Sequence, residues 1–496
     1  MRFLALLALL STPAVASDWF VDPVNGSNND SGLDPANAWG SITYALAQVP
    51  TGAQTIHLME GVFDVASGEQ FPIALEDGIT LLGDGNPRDV VVRTDGTAFL
   101  LDATVGDKST TLSSFTVEGA MIGLRAESYD GLLRPTVTGM RFEDCDTGIS
   151  YFIDVGFTGT LNRLLVTRST FQDCAQYGIR GSGASFFPIT TLIVEDSSFF
   201  HCGTGMALAA IGDSLSRGTV RRCRFRGNTW TGLQVESGES RITVEDSLIT
   251  ANANGIRSDA YVEVLRSTIA DNVGAGIQST FPTIFGFVQS SIVYGNGDDL
   301  QGVTFPVRHS NIGDGDFIGI EGNLSADPWF VDPTNRDYRL SFGSPCIDAA
   351  PLSTARDLLG FRRRIDGDLD TVVMDDMGAY ELATLRTRKT VRLDRDFMIA
   401  VQGEVGAFAA LFLDRSGPLS APVETPFGPR WLNPNQQEFI STVQIDATGG
   451  AQFLVTLPDD PTLVGLTFGF QALIRSSAAP AGVAFSSVSQ SVVLPQ

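Results

Sequence analysis

The stretch FEDCDTGI at residues 142–149 decides the fold, because related stretches recur along the chain. They are FQDCAQYGI (171–179), FFHCGTGM (199–206), FRGNTWTGL (225–233), ITANANGI (249–256), IADNVGAGI (269–277) and, more weakly, VYGNGDDL (293–300). The first six of these seven begin with an apolar residue, carry cysteine or asparagine three positions later, and close with glycine and an apolar residue. Repeats of strand-like segments 20 to 29 residues apart predict a parallel β-helix, in which stacked coils bury their apolar faces.

Aligning the repeats on their first residue produces columns that test this register. Three positions later the column reads Cys145, Cys174, Cys202, Asn228, Asn252, Asn272 and Asn296. The asparagines predict a ladder of stacked amides, and we expect the cysteines to be stacked free thiols, because parallel Cβ vectors disfavour a disulfide. We call the apolar first residue of each repeat its anchor. Two positions before the anchor the residues are small, namely Ser169, Ser197, Cys223, Ser247, Ser267 and Ser291. Three positions before, the signs alternate along Arg168, Asp196, Arg222, Asp246 and Arg266, which predicts ion pairs between coils.

Composition and the N-terminus indicate an exported protein. Arg2, the apolar run at 3–10 and the sequence AVA at 14–16 have the layout of a signal peptide cleaved after Ala16. No later apolar run is long enough to span a bilayer, so we expect a secreted or cell-surface location. The net charge of −24 argues against nucleic acid as a partner. Only two lysines occur, which leaves few candidates for a lysine base.

The repeat pattern resembles the right-handed parallel β-helix of the pectin-lyase-like superfamily, over roughly residues 55–345. The stretches WFVDPVNGSNNDSG (19–32) and GEQFPI (68–73) resemble the N-terminal domain of unknown function of bacterial secreted β-helix proteins. The stretches SPCID (344–348) and MGAYE (377–381) resemble the choice-of-anchor Q region that ends many of them. These resemblances imply a fold and its capping, and they imply no particular reaction.

The fold class is therefore all-β, with a second domain after the β-helix. A helix near residues 41–49, with Ser41 as its N-cap, is expected to cover the first coil. Strand-like runs between Pro- and Gly-rich turns after residue 385 predict an antiparallel β-sandwich. The predicted domains are a signal peptide (1–16), an N-terminal cap (17–54), the β-helix (55–345), an acidic capping region (346–384) and the sandwich (385–496).

Candidate catalytic residues lie in one column of the repeats, two positions after the anchor. Asp144, Asp173 and His201 are successive members of that column, and Asp173 with His201 is the best acid–base pair that the sequence offers. The resemblance implies calcium-assisted lyases or hydrolases with three aspartates. The hydrolase motifs of the superfamily are absent from the sequence. Asp144 and Asp173 can equally be ordinary turn residues.

Candidate ligand-binding residues fall into two groups. Arg180 and Arg257 follow the glycine–apolar pair of their repeats and could contact an acidic sugar, while Tyr177 and Trp230 could stack on a sugar ring. Asp366, Asp368 and Asp370 in the sequence DGDLD could ligate Ca²⁺ through oxygens, although the full calcium-loop pattern is missing. No other cofactor is indicated.

Two functions remain open. The first is a non-catalytic β-helical protein that binds extracellular polysaccharide or cell-envelope glycan. The second is a polysaccharide lyase or glycoside hydrolase acting on an acidic glycan. Scarce lysine, missing hydrolase motifs and the negative charge favour the first.

Overall fold

The computed structural model describes residues 18–495 except 105, 155–160, 185–188, 212–213, 237–238, 281–284 and 448. The predicted signal peptide lies outside the described residues. No helix in the described part is long and apolar enough to cross a membrane. Contacts divide the chain into two compact units, Met1–Thr243 with Thr250–Val262 and Gln278–Ile284, and Val244–Ile249 with Glu263–Ile277 and Phe285–Gln496. The predicted domain boundaries stay predictions.

Three sheets whose strands follow chain order form a parallel β-solenoid, which confirms the predicted fold class. Sheet 1 has strands Asp18–Val21, Gln54–Leu58, Ile79–Gly83, Thr111–Ser113, Thr136–Thr138, Leu161–Thr167, Ile189–Glu195, Leu215–Arg221, Arg241–Glu245, Tyr261–Leu265, Gly286–Gln289 and Val307–Arg308. Sheet 2 has Gly61–Phe63, Val90–Arg93, Thr116–Glu118, Arg141–Glu143, Thr170–Gln172, Ser198–Phe200, Arg224–Arg226, Leu248–Thr250, Thr268–Ala270, Ile292–Tyr294 and Asn311–Ile312. Sheet 3 has Ile73–Ala74, Thr97–Asp102, Ile122–Ser128, Thr147–Ile153, Tyr177–Gly183, Thr204–Ala210, Thr231–Val235, Asn254–Ser258, Ala275–Ser279 and Asp298–Gln301.

The strands are joined by sharp corners at which a single residue is left-handed. After sheet 2 the corner residues are Asp144, Asp173, His201, Gly227, Ala251, Asp271 and Gly295, with φ between 53° and 71°. After sheet 1 they include Arg168, Asp196, Arg222, Asp246 and Arg266, with φ between 47° and 52°. Both corner columns coincide with columns of the sequence repeat. At the corner after sheet 2 the backbone explains the glycines, the aspartates and His201, since these residue types tolerate a left-handed conformation best.

The anchor residues of the repeats form a stack of phenylalanine rings inside the solenoid. The rings of Phe142, Phe171, Phe199 and Phe225 follow one another at centroid distances of 5.0, 4.8 and 4.6 Å and are parallel to within 3°. The repeat glycines Gly148, Gly178 and Gly205 each lie against the phenylalanine ring of the following repeat. A Cβ added at Gly148 would lie 2.7 Å from the Phe171 ring. Anchor and glycine thus form one packing unit across neighbouring coils.

The polar columns form ladders of hydrogen bonds between coils, as predicted. The backbone N–H of Asn228 donates to Oδ1 of Asn252 at 3.0 Å, and Asn272 donates likewise to Asn296 at 3.0 Å. In the serine column the Ser169 N–H donates to Oγ of Ser197 at 3.1 Å. All five cysteines are free and buried.

The alternating charge column forms the predicted ion pairs between coils, and one of them is buried. Arg222 Nε donates to Asp196 Oδ1 at 2.7 Å near the surface. Asp246 instead is buried together with Arg363 from the segment beyond the repeats, which reaches it at 3.0 Å, while the half-buried Arg266 also reaches it at 3.0 Å. Repeat alignment alone could not place Arg363 there.

The helix at the start of the chain is Ile42–Gln48, and Ser41 caps it as predicted. Short 3₁₀ turns cover Pro35–Asn37, Pro333–Asn335 and Pro461–Leu463. Two hairpins pair Phe330–Asp332 with Asp337–Leu340, and Val423–Thr425 with Gly428–Arg430.

The C-terminal sheets share one apolar core, which agrees with the predicted sandwich. The smaller sheet has Leu385–Arg386, Asp396–Gln402 and Gly450–Thr456. The larger has Thr390–Arg392, Ser489–Leu494, Thr467–Arg475, Phe408–Asp414 and Gln437–Gln444, with Val483–Phe485 beside Thr467–Arg475. One pair differs from the antiparallel expectation, since Thr390–Arg392 runs parallel to Ser489–Leu494.

Candidate functional site

The three candidate catalytic residues lie in one corner column on successive coils, as the repeat alignment predicted. Asp173 Oδ1 and His201 Nδ1 are 3.5 Å apart, and the two side chains are 44% and 49% exposed. Gln172 donates from Nε2 to Asp173 Oδ2 at 2.9 Å. The pKa of Asp144 is raised, first by partial burial and then by the negative charges of Asp173, Glu118 and Glu143.

The geometry of this column makes the interaction between Asp173 and His201 a weak one. A separation of 3.5 Å is long for a hydrogen bond, and the exposure of both side chains leaves their charges screened by water. The next corner is Gly227, where an added Cβ would lie 2.7 Å from the imidazole, so this glycine leaves space for His201. An exposed acid–base pair of this kind can exchange a proton with a bound ligand, but the corner conformation by itself accounts for the residue types.

The candidate sugar-contacting residues Tyr177 and Arg180 lie together on the outer face of sheet 3. The Arg180 guanidinium lies 4.9 Å from the centre of the Tyr177 ring, a cation–π contact, and Nη2 of Arg180 is 3.9 Å from Glu236 Oε2. Glu236 follows the strand Thr231–Val235, whereas Arg180 belongs to Tyr177–Gly183. The strand Thr204–Ala210 lies between these two.

The intervening strand carries only small residues on its outer face. Thr204, Ala207 and Ala209 point outward, in register with Tyr177, Arg180 and Ser182 of the preceding coil. We call these three residues the strip. Thr204, Ala207 and Ala209 are only 1%, 1% and 6% exposed, and the ion pair of Arg180 with Glu236 joins the coils on either side of them. The strip is thus covered by neighbouring side chains and lies between the pair of Tyr177 and Arg180 on one side and the strand preceded by Trp230 on the other.

Trp230 and Arg257 lie on the same side of the strip and are both exposed. Trp230 is 53% exposed and donates its backbone N–H to Gly203 O at 2.8 Å, directly beside the start of the strip. Arg257 pairs in register with Gln234, one coil further along. Among the described residues Arg257 has no side-chain ion pair. The sequence had not indicated Glu236 or the strip, because both depend on the register of sheet 3.

The predicted metal ligands come together only in part. Asp366 and Asp368 form a group with Asp348, with one oxygen of each within 4.8 Å of the others. Asp370 lies outside this group, and its Oδ1 accepts the backbone N–H of Val372 at 2.6 Å. Asp348 belongs to the SPCID stretch. Its proximity to Asp366 could not be predicted from the sequence because it depends on how the segment between them folds.

Comparison with known proteins agrees with this fold. Three resembling solved structures are pectate lyase Pel9A (14% identity, covering 74% of this chain and 97% of that chain, TM-score 0.39), the A-module of mannuronan C-5 epimerase AlgE4 from Azotobacter vinelandii (17%, 52% and 91%, 0.29), and tailspike protein gp49 from Acinetobacter baumannii bacteriophage Fri1, a capsular polysaccharide depolymerase (10%, 88% and 82%, 0.27). At these identities and TM-scores they support no statement about function. No curated protein matches the chain. Residues 104–272 and 155–304 match the family model for the right handed beta helix region, so this segment is a right-handed β-helix.

Proposed function

We propose that this chain is a secreted or cell-surface, non-catalytic protein that binds extracellular polysaccharide or cell-envelope glycan through the outer face of sheet 3. The observation that carries the proposal is the strip of small residues bordered by Tyr177 with Arg180 and by Trp230. Aromatic rings present a flat apolar face with a polar edge, which suits the mixed apolar and hydroxyl character of a sugar ring. Export rests on the signal-peptide pattern at residues 1–16.

The charges around the strip favour a neutral glycan. Arg180 is already paired with Glu236, so an acidic sugar would have to displace that carboxylate. The net charge of −24 also repels a polyanion at long range. Arg180 and Gln234 can both donate hydrogen bonds to sugar hydroxyls without breaking the pair completely, because a guanidinium has five N–H donors.

The absence of catalysis is supported by how strand-face charges are satisfied. Arg125 contacts Glu127 at 2.9 Å, and Arg221 contacts Glu195 at 3.0 Å. Arg93 contacts Glu118 at 2.6 Å. The pairs of Arg221 and Arg93 join neighbouring coils and that of Arg125 lies within one strand, so these three arginines are already engaged by carboxylates of the protein.

Binding to a panel of immobilised glycans tests the proposal. Tyr177→Ala and Trp230→Ala should each weaken binding to the recognised glycan by about tenfold or more, as loss of a stacking ring does at a binding site. Tyr261→Ala is the matched control, because Tyr261 also stacks with an arginine, Arg241 at 5.2 Å, but lies on sheet 1. Equal loss in all three variants, or no binding by the unaltered protein, would count against sheet 3 as the binding face.

A polysaccharide lyase or glycoside hydrolase is the second candidate, favoured by one observation. Asp173 and His201 are adjacent, and a neighbouring carboxyl group and imidazole can act as general acid and general base. If this candidate is correct, the protein releases new reducing or unsaturated ends from an acidic glycan, and both Asp173→Ala and His201→Ala abolish the release.

A further inference from the structure

Three carboxylates converge in the segment between the solenoid repeats and the C-terminal sheets. One oxygen each of Asp348, Asp366 and Asp368 lies within 4.8 Å of the other two. Asp348 comes from a turn after the strand Asp337–Leu340, and the other two come from the loop 366–372. Backbone N–H groups of Gly367 and Asp368 donate to Asp348 Oδ2 at 2.8 and 3.1 Å, which holds the turn against the loop.

One oxygen in this group is buried without a hydrogen-bond partner. Asp366 is 4% exposed, and its Oδ2 accepts the backbone N–H of Thr371 at 3.0 Å. Its Oδ1 has no hydrogen-bond partner in the described structure. A buried carboxylate oxygen without a partner is costly, so such an atom indicates a ligand that supplies the missing interaction.

The group also lacks a neutralising positive charge from the protein. Among the described residues, no arginine or lysine forms an ion pair with Asp348, Asp366 or Asp368. Three converging carboxylates without a nearby basic side chain repel one another, and a bound cation between them would relieve that repulsion.

We propose that Asp348, Asp366 and Asp368 bind one Ca²⁺ ion that fastens the loop 366–372 to the turn at Asp348. An all-oxygen set of flexible carboxylates is the ligand chemistry of Ca²⁺, whereas Mg²⁺ requires stricter octahedral geometry and retains more of its water. The ion has a structural role. Leu369, which directly follows the ligand Asp368, is fully buried in the apolar core that the C-terminal sheets share, so order in the loop supports that core.

The test is calcium binding and thermal unfolding of the full mature protein, first stripped with EGTA. Isothermal titration should show one Ca²⁺ per chain, and saturating Ca²⁺ should raise the Tm by about 5 °C, as expected for a ligand bound only by the folded state. Mg²⁺ at the same concentration should give a smaller rise. An equal or larger response to Mg²⁺, or no calcium binding, overturns the proposal.

Variants separate a bound ion from a purely structural role. Asp366→Asn should lose the calcium-dependent rise in Tm yet be at least as stable as the unaltered protein in EGTA, because it removes a buried negative charge without removing the side chain. Asp370→Asn, in the same loop but outside the group, should keep the full response to calcium. If Asp366→Asn keeps that response, or if Asp370→Asn loses it, the ligand assignment is wrong. The titration of the unaltered protein decides the proposal even if Asp366→Asn fails to fold.

Discussion

At the scale of single residues, the repeat motif is a packing rule between neighbouring coils. The anchor of FEDCDTGI enters the aromatic stack, and its glycine receives the ring of the next anchor. The sequence predicted the columns because the residues of one column occupy equivalent positions in successive coils and make the same kind of contact. The left-handed corners could be inferred in hindsight from the Asp, His and Gly that share a column, but Asp144, Asp173 and His201 in that column had also suggested a catalytic site.

Glycine 178 provides a direct test of this packing rule. A Cβ at this position would lie 2.7 Å from the Phe199 ring and 2.5 Å from Gly205 O. We expect Gly178→Ala to lower the free energy of unfolding by about 1–3 kcal/mol, as overpacking does, measured by urea unfolding. Gly181→Ala in the same strand is the control, since the nearest atoms there are side-chain methyls at 3.2 and 3.5 Å, which can yield. Equal effects of the two substitutions would contradict the rule.

We expect the buried cysteine thiols to be unreactive in the native protein. Hydrogen bonding with Cys145 and Cys202, and then burial, raises the pKa of Cys174 well above its usual value, and burial raises that of Cys223 to about 12. Because the thiolate is the reactive form, the native protein should not react with a thiol reagent such as DTNB, whereas denatured protein should expose five thiols. Fewer than five thiols in denaturant would reveal a disulfide.

At the scale of elements, the N-terminal helix shows what a local pattern can and cannot predict. Ser41 was recognisable as a cap because it lies next to the helix. Glu69 also caps this helix, since Oε1 accepts from Ile42 N at 2.6 Å and Oε2 from Thr43 N at 2.9 Å. That contact joins residues 26 and 27 positions apart and depends on the coil between them.

Removing the distant cap should therefore cost more than removing the local one. Glu69→Ala leaves the buried Ile42 N–H and the part-buried Thr43 N–H without acceptors, and we expect a loss of about 2–3 kcal/mol in unfolding free energy. Ser41→Ala should cost about 1 kcal/mol. Chemical denaturation of both variants measures the difference. A larger loss for Ser41→Ala would show that Glu69 is not the main cap.

At the scale of the whole molecule, the fold was predictable and the candidate sites only partly so. The repeats predicted coils, ladders and the neighbouring positions of Asp173 and His201, because each of these follows from one register. The strip lies on sheet 3, and its position depends on how the strands of that sheet align. The sequence alignment did not predict this because the connections between strands vary in length. Asp348 and Arg363 reach their partners from beyond the repeats, where no periodicity guides alignment.

The central claim, that the protein binds glycan without degrading it, is tested most directly by one measurement. The mature protein is incubated with each glycan that it binds, with and without Ca²⁺, and newly formed reducing ends and unsaturated sugar ends are quantified over time. We predict binding with no product above the level of a protein-free control. Product that accumulates with the unaltered protein and disappears with Asp173→Ala would contradict the claim and establish an enzyme.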